Sequence, residues 1–362
     1  MKKSLIALAV LASAAGLASA QSSVTLFGIV DATVNHISNS GGASVTQLTN
    51  SGYNSSRLGF RGVEDLGGGN SASFWLEAGV NNDNGSGANT NLNNQPGAAN
   101  SVGGGGLTFN RRSTVSLAGG WGELRLGRDY TPQFWNMTVF DPFGTNGIGT
   151  NLALTETSVP TAVRASNSIG YFLPANLGGF YGQVQYYLGE RPNNTPNKDD
   201  GTGYGLRLGY ANGPFDVAIA SGRTKYLAGN ADQSNIAGQW NFGVATLQAQ
   251  YEWDKNTFYP GAAGANLKAR GYLVGALVPV GPGQIRFSYA QYKIDAVAGT
   301  DPEAKKVALG YVHNLSKRTA LYATYARVSN NSTSAIAAGG GAGNPGAGSS
   351  SNGYDLGIRH SF

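Results

Sequence analysis

The chain has 362 residues, and only 12% of them are charged, about half of the roughly 25% that is usual in soluble domains. Its 55 glycines follow no three-residue period, which excludes collagen, and the absence of cysteine excludes disulfides, thiolate metal sites and cysteine nucleophiles. The formal net charge is +5, or +3 without Lys2 and Lys3, and this balance is too small to indicate a nucleic-acid partner.

The first twenty residues differ in character from the rest of the chain. Lys2 and Lys3 are followed by an apolar stretch from Leu5 to Ala18, broken only by Ser13, and then by the small residues Ala18-Ser19-Ala20. This order predicts a secretory signal peptide over residues 1–20 and one mature domain over 21–362. The apolar run is shorter than the roughly 20 residues that a membrane-spanning helix needs.

Beyond the signal, the dominant pattern is alternation rather than long apolar runs. From Val24 to Asn35 the even positions are small or apolar, and the odd positions include Thr25 and Asp31. A period of two predicts β-strands with one apolar and one polar face. The same pattern recurs at 71–81, 204–210, 245–253 and 285–289.

The lengths of the connections between the alternating segments distinguish a soluble β-sandwich from a membrane barrel. Short turns, such as 65–70, 119–122, 211–214 and 281–283, alternate with long polar loops at 82–106 and 330–352. Short turns on one rim and long loops on the other are typical of outer-membrane barrels, whose strands take about 9–11 residues each. The length of the mature chain then predicts an all-β, antiparallel transmembrane barrel of about 16 strands.

The C-terminal residues alternate as well, and the chain ends on Phe362 in phase with Tyr354, Leu356 and Ile358. This ending resembles the insertion signal of outer-membrane barrels. Further segments, in the same order along the chain, resemble those of beta-proteobacterial general porins: residues 21–28 (QSSVTLFG), 56–62 (SRLGFRG), 64–67 (EDLG), 126–130 (LGRDY), 315–319 (LSKRT) and 357–360 (GIRH). The resemblance extends over the whole mature chain.

The resemblance implies a trimeric, 16-stranded barrel in the Gram-negative outer membrane, through which small hydrophilic solutes and ions diffuse passively. It implies a third extracellular loop, from about Tyr130 to Arg164, that folds into the lumen and narrows it. Outer-membrane lipid, lipopolysaccharide and the barrel-assembly machinery are the further partners that it implies, the last through the terminal Phe362. No cofactor is implied.

The resemblance also assigns charged residues to the constriction. The wall arginines correspond to Arg57, Arg164 and one of Arg111 or Arg112, between which strand alternation and family spacing disagree. Phe140 to Gly144 resembles the Pro-Glu-Phe-Gly turn of porin loops, with Asp141 one position away from the Glu. Rings of arginine in a narrow water column favour anions, so a weak to moderate anion preference is expected.

Three other charged residues are candidates, and two of them have two interpretations each. Glu77, on the polar face of its strand, is either a constriction carboxylate or a counter-ion that holds the arginines. Asp129 alternates inward with Glu123 and Arg125, and it is assigned to the constriction. Arg128 falls on the outward face, where it is either a contact to a neighbouring subunit, as family analogy implies, or part of an internal pair.

Other function classes find less support in the residues. The chain has only three histidines, His313 and His360 near strand ends on the outward parity and His36 on the lipid-side pattern, which disfavours catalytic triads and metal sites. A sugar-specific channel remains an alternative, with Phe27, Trp75, Tyr181 and Tyr187 as candidate stacking residues. A closed structural or adhesive barrel is the other alternative, with its long loops as binding surfaces.

Overall fold

A computed structural model describes residues 23–95, 101–102, 106–152, 159–257, 267–296 and 299–362. The predicted signal peptide, residues 1–20, lies outside the described residues. The strands are β1 (Ser23–Asn39), β2 (Ser44–Asn50), β3 (Arg57–Gly67), β4 (Asn70–Asn81), β5 (Ser86–Gly87), β6 (Thr90–Asn91), β7 (Ser101–Val102), β8 (Arg112–Gly119), β9 (Gly122–Tyr130), β10 (Arg164–Phe172), β11 (Phe180–Tyr187), β12 (Gly203–Asn212), β13 (Phe215–Tyr226), β14 (Gly229–Asn241), β15 (Thr246–Asn256), β16 (Leu267–Val280), β17 (Gly283–Asp295), β18 (Glu303–Asn314), β19 (Thr319–Asn330) and β20 (Ser350–Ser361). One helix is described, α1 (Pro132–Val139).

The long strands form a closed antiparallel barrel, because β1 pairs with β20 on one side and with β2 and β3 on the other. Strand β2 pairs with the second half of β1 and β3 with its first half, so the two share one position in the wall. The two-residue strands β5, β6 and β7 lie in the connection between β4 and β8. The wall therefore has sixteen positions, and the predicted fold class and strand number are confirmed.

The predicted alternation separates the two faces of the wall. Along β1, Val30 and Val34 are exposed on the outer face, whereas Asp31, Thr33 and Asn35 are buried on the inner face. The same parity holds in β12, where Tyr204, Leu206 and Leu208 are exposed and Arg207 is buried. An apolar outer face and a polar inner face are the inverse of a soluble core and suit a barrel surrounded by lipid. No helix in the described part of the chain is long and apolar enough to cross a membrane.

Tight turns connect the strands on one rim. Two-residue connections at 68–69, 120–121, 213–214 and 281–282 join consecutive strands. Gly213 and Gly281 adopt φ of 57° and 55°, a left-handed conformation that glycine adopts without steric cost. The predicted turns at 211–214 and 281–283 therefore agree with the structure.

Backbone pairing of Phe362 with Gly28 on β1 helps to close the barrel. The Phe362 N–H donates to the Gly28 carbonyl at 3.1 Å, and the Gly28 N–H donates to the Phe362 carbonyl at the same distance. The Phe362 ring covers Gly28 so closely that a Cβ added there would lie 2.4 Å from the ring. A glycine at position 28 thus makes room for the terminal aromatic side chain.

Residues 131–152 and 159–163, here called the α1 segment, connect β9 to β10 and begin with α1. Proline at the first helical position fits this start, because its missing N–H would have no partner there. Inner-face residues of the wall bind the segment through hydrogen bonds: Asn235 to Asn136 at 2.8 Å, Arg286 to Pro142 at 2.7 Å, Lys306 to Thr150 at 2.9 Å and Asp355 to Ile148 at 3.2 Å.

The break between β2 and β3 provides a further contact for this segment. The Asp31 carboxylate accepts the backbone N–H groups of Tyr53 and Asn54 at 2.9 and 2.6 Å, which holds residues 51–56 out of the sheet. Ser55 in this break then donates to Asn146 of the α1 segment at 2.6 Å. The middle of the segment is therefore held from two places on the wall, the break between β2 and β3 through Ser55 and β20 through Asp355.

Candidate functional site

An ion-pair network on the inner wall brings together three of the predicted residues. Antiparallel pairing of β3 with β4 aligns Gly59 with Glu77, and pairing of β4 with β8 aligns Glu77 with Arg112. Arg57 Nη1 lies 3.3 Å and Arg111 Nε 2.6 Å from Glu77 Oε1. Glu77 is therefore the shared counter-ion of two arginines, one of the two roles expected for it.

Tyr130 joins a third arginine to this network. Arg111 Nη2 donates to the Tyr130 hydroxyl at 3.0 Å, and Arg164 Nη2 donates to the same oxygen at 3.1 Å. The Arg164 guanidinium also lies over the Tyr130 ring, 4.5 Å from its centroid. Arg57, Arg111 and Arg164, here called the arginine cluster, thus surround one carboxylate and one phenol, which leaves two positive charges uncompensated within the network.

The choice between Arg111 and Arg112 does not arise, because both face inner-wall carboxylates. Arg112 Nε lies 3.9 Å from Asp129 Oδ2 and donates to the Thr114 hydroxyl at 3.0 Å. Asp129 is held mainly by Arg125, whose Nη1 lies 2.6 Å from the same oxygen. The predicted inward alternation of Asp129 thus places it in a second ion-pair group beside the arginine cluster.

Asp141 lies just after the end of α1. Its side chain is buried in the α1 segment, and its carboxylate accepts the N–H groups of Phe143, Thr145 and Asn151 at 2.8, 3.1 and 3.2 Å. Burial raises the pKa of this carboxyl, and these N–H groups and nearby Arg286 oppose the rise. Because its oxygens serve the turn, Asp141 shapes the segment, and its assignment to the constriction stays a prediction.

Arg128 lies on the outer parity, in phase with the exposed Leu124 and Leu126, as its strand pattern predicted. Its Nε donates to the Asn110 carbonyl at 2.6 Å and its Nη1 to the Ser166 hydroxyl at 2.7 Å. These two bonds tie the start of β8 and of β10 to β9 within one chain. A contact of Arg128 with a neighbouring subunit stays a prediction.

Three inner-face cations that bind the α1 segment were not predicted from the sequence. Arg207 donates to Asn136 at 3.0 Å, Arg286 to Pro142 at 2.7 Å and Lys306 to Thr150 at 2.9 Å. All three are at most 7% exposed. The strand alternation already indicated that two of these side chains point inward, because Arg207 and Arg286 each lie between two apolar residues of the outer face.

The histidines are on the outer face and bond to nearby hydroxyl groups. His36 Nδ1 lies 2.8 Å from the Thr46 hydroxyl, and His360 Nδ1 lies 2.9 Å from the Thr319 hydroxyl. His313 Nδ1 lies 3.2 Å from the Tyr311 hydroxyl. Over the described ranges, no three His, Asp or Glu side chains are grouped as metal ligands.

Comparison with known proteins assigns the chain to a family. The family model described as Gram-negative porin matches residues 7–333. The chain belongs to the Gram-negative porin family. The resemblance noted in its sequence is thereby confirmed.

Two outer-membrane porins are similar to this porin along most of their length. Outer membrane porin protein 32 of Delftia acidovorans is 40% identical over the whole of both chains. An outer membrane porin protein of Bordetella pertussis is 29% identical, and the match covers 89% of this chain and 93% of the Bordetella protein.

A solved structure gives the same result for the fold. The anion-selective porin from Comamonas acidovorans superposes with a TM-score of 0.81 at 37% sequence identity, covering 94% of this porin and all of the other chain. Porins are channel proteins of the Gram-negative outer membrane, and this chain is therefore a channel and not an enzyme.

Proposed function

We propose that this porin is a general diffusion channel for small hydrophilic solutes and ions, with a weak to moderate preference for anions. The observation that carries the proposal is the arginine cluster, in which Arg57 and Arg111 share the single carboxylate of Glu77 and Arg164 is joined to them through the Tyr130 hydroxyl. Guanidinium groups stay charged at every physiological pH. A narrow water column beside them therefore favours anions, as rings of arginine do in other pores.

The α1 segment is proposed to be the inward-folded third loop that makes the column narrow. Its support is the set of hydrogen bonds to inner-face side chains, from Asn235 on β14 to Asp355 on β20. Three of the four aromatic residues of the segment, Phe134, Phe140 and Phe143, are also buried. A segment held at so many inner positions would reduce the open cross-section beside Arg57 and Arg111.

The assembly of the channel is also a proposal. We expect a homotrimer, with Arg128 on the outer face as a candidate contact to a second subunit, and outer-membrane lipid and lipopolysaccharide around the remaining outer face. Export by a signal peptide over residues 1–20 and insertion by the barrel-assembly machinery complete the expected route. The exposed aromatic ring of Phe362, at the end of β20, is the candidate insertion signal.

The test of the selectivity is a reversal potential. The purified porin is inserted in a planar lipid bilayer between two potassium chloride solutions of different concentration. The expected potential has the sign of preferential chloride flow. A potential of the opposite sign, or a barrel that carries no current, would contradict the proposal.

A further inference from the structure

A cavity of about 400 Å³ lies between α1 and the inner wall, next to the arginine cluster. Its size falls within the range of about 300–1,000 Å³ that is usual for small-molecule sites. It combines cations with flat apolar side chains: Arg112, Arg207, Trp75, Trp135, Phe172 and Tyr181 all line it. A wall built only to conduct hydrated ions has no need for this concentration of aromatic surface.

Two of the lining arginines keep donor groups free for a ligand. Arg112 uses Nε for Thr114, at 3.0 Å, and its two terminal nitrogens have no hydrogen-bond partner among the described residues. Arg207 uses Nε for Asn136, at 3.0 Å, and has only a long contact of 3.4 Å from Nη2 to Tyr181. By contrast, Arg125 in the same cavity is occupied by Glu123 and Asp129. The free nitrogens suit a carboxylate, which guanidinium groups bind in bidentate fashion.

The aromatic side chains of the cavity offer flat surfaces beside these donors. The Arg112 guanidinium lies 4.7 Å from the ring centroid of Trp75, and that of Arg207 lies 4.8 Å from the centroid of Tyr181. Trp135, on α1, is 39% exposed, and its indole N–H has no hydrogen-bond partner within the described ranges. An indole left exposed in this cavity is available to stack against a planar ligand.

We propose that this cavity is a binding site for aromatic monocarboxylates of the benzoate class. The carboxylate binds the free nitrogens of Arg112 or Arg207, and the ring stacks on Trp135. The lining attracts an anion, because the four arginines Arg57, Arg112, Arg125 and Arg207 outnumber the two carboxylates of Glu77 and Asp129. The proposal rests on the proposed function, since it names a solute class that the channel would concentrate.

Binding is tested by calorimetric titration of the purified, full-length porin in detergent, with three probes of similar size. Benzoate carries the charge and the planar ring, cyclohexanecarboxylate lacks the planar ring, and benzyl alcohol lacks the charge. Benzoate is expected to bind about fivefold more tightly than either control, the difference that one aromatic contact or one charge-assisted contact provides. Equal affinity of benzoate and cyclohexanecarboxylate would overturn the proposal.

Two variants test the assigned side chains. Trp135→Leu is expected to weaken benzoate binding about fivefold and to leave cyclohexanecarboxylate binding unchanged. Arg112→Gln is expected to weaken both carboxylates. Trp121→Leu, which changes an exposed tryptophan at the turn between β8 and β9, is the matched control and should bind all probes as the natural chain does. Wild-type benzoate affinity in Trp135→Leu would refute the site.

The same samples separate this inference from the proposed function. Calorimetry reports binding whether or not the barrel conducts, and bilayer recording reports conduction whether or not benzoate binds. Benzoate binding to a barrel that carries no chloride current would leave the site standing and refute the general channel. Chloride conduction without preferential benzoate binding would do the reverse.

Discussion

Glu77 has two opposite effects on the arginine cluster. Its negative charge offsets one of the three guanidinium charges, and its oxygen holds Arg57 and Arg111 at 3.3 and 2.6 Å. Without that carboxylate the two cations would repel each other at close range in a partly buried site. Glu77 thus lowers the net positive charge of the arginine cluster and also holds the guanidinium groups of Arg57 and Arg111 together.

The first prediction concerns the cations that set the selectivity. In the double variant Arg57→Gln/Arg164→Gln, only Arg111 and Glu77 remain of the network, and their charges cancel. We expect the anion preference to be largely lost, with the reversal potential moving toward the cation side. The measurement is the reversal potential under a fixed salt gradient.

The control for this prediction is a pair of exposed lysines. Lys198→Gln and Lys255→Gln remove positive charge from positions that are exposed to solvent, where screening is strong. They are expected to keep the natural reversal potential. If a lysine variant lost its anion preference while the double arginine variant kept it, the selectivity would lie outside the arginine cluster.

The inward direction of some side chains could be predicted from the sequence, whereas the contacts of others could not. Arg57 and Glu77 were placed inward by alternation alone, because a strand with an apolar outer face fixes the direction of every side chain. Arg111 precedes the first residue of β8, so its contact with Glu77 depends on the register of β8 against β4 across a long loop. Arg207, Arg286 and Lys306 were missed because their partners lie on the α1 segment, whose path no local period encodes.

At the scale of elements, the α1 segment is organised from within by Asp141. The Asp141 carboxylate accepts three backbone N–H groups, from residues two, four and ten positions further along the chain. The sequence predicted a loop from about Tyr130 to Arg164 that folds into the lumen, and this inward fold stays a prediction. The resemblance assigned Asp141 to the constriction, but similarity to a family turn does not distinguish a carboxylate that faces solute from one that closes a loop.

The second prediction follows from this arrangement. Asp141→Asn replaces one acceptor oxygen with an N–H₂ group, which faces backbone donors and leaves at least one of them unpaired. Leaving a buried donor unpaired costs about 1–3 kcal/mol. We expect a looser segment, seen as larger open-channel current noise in single-channel recordings.

Asp199→Asn is the matched control for this change, because it makes the same replacement at an exposed loop position. Its current noise should equal that of the natural chain. Quiet recordings from Asp141→Asn would show that the segment does not depend on this carboxylate.

The third prediction concerns the closure of β20 onto β1. Phe362→Ala keeps the two backbone hydrogen bonds to Gly28 but removes the ring that covers it. We expect a severalfold lower yield of folded, heat-modifiable barrel in outer-membrane fractions. Phe242→Ala, which removes another exposed aromatic ring near a turn, should assemble at the natural yield. Equal yields for the two variants would count against an insertion role for Phe362.

At the scale of the whole molecule, net charge cannot explain an anion preference. The mature chain would carry only +3, spread over the surface of a whole barrel. Elsewhere in the described structure, charged side chains pair with single neighbours of opposite sign, as Arg223 does with Asp232 and Lys293 with Asp301. Selectivity must therefore come from the few places where cations outnumber carboxylates at a narrow part of the lumen.

The fourth prediction is that the anion preference depends on salt. The Debye length is about 8 Å at physiological ionic strength and about 3 Å at 1 M, so the field of the arginine cluster reaches across a pore only in dilute salt. With the ratio of the two chloride solutions held constant, the reversal potential should fall steadily as both are concentrated from about 0.1 M to about 1 M. The double variant Arg57→Gln/Arg164→Gln should show little change over the same range, because its network carries no net charge. A preference that stayed constant up to 1 M in the natural chain would mean that anions are selected by direct coordination at a binding site, since contact distances are shorter than the Debye length at every concentration tested.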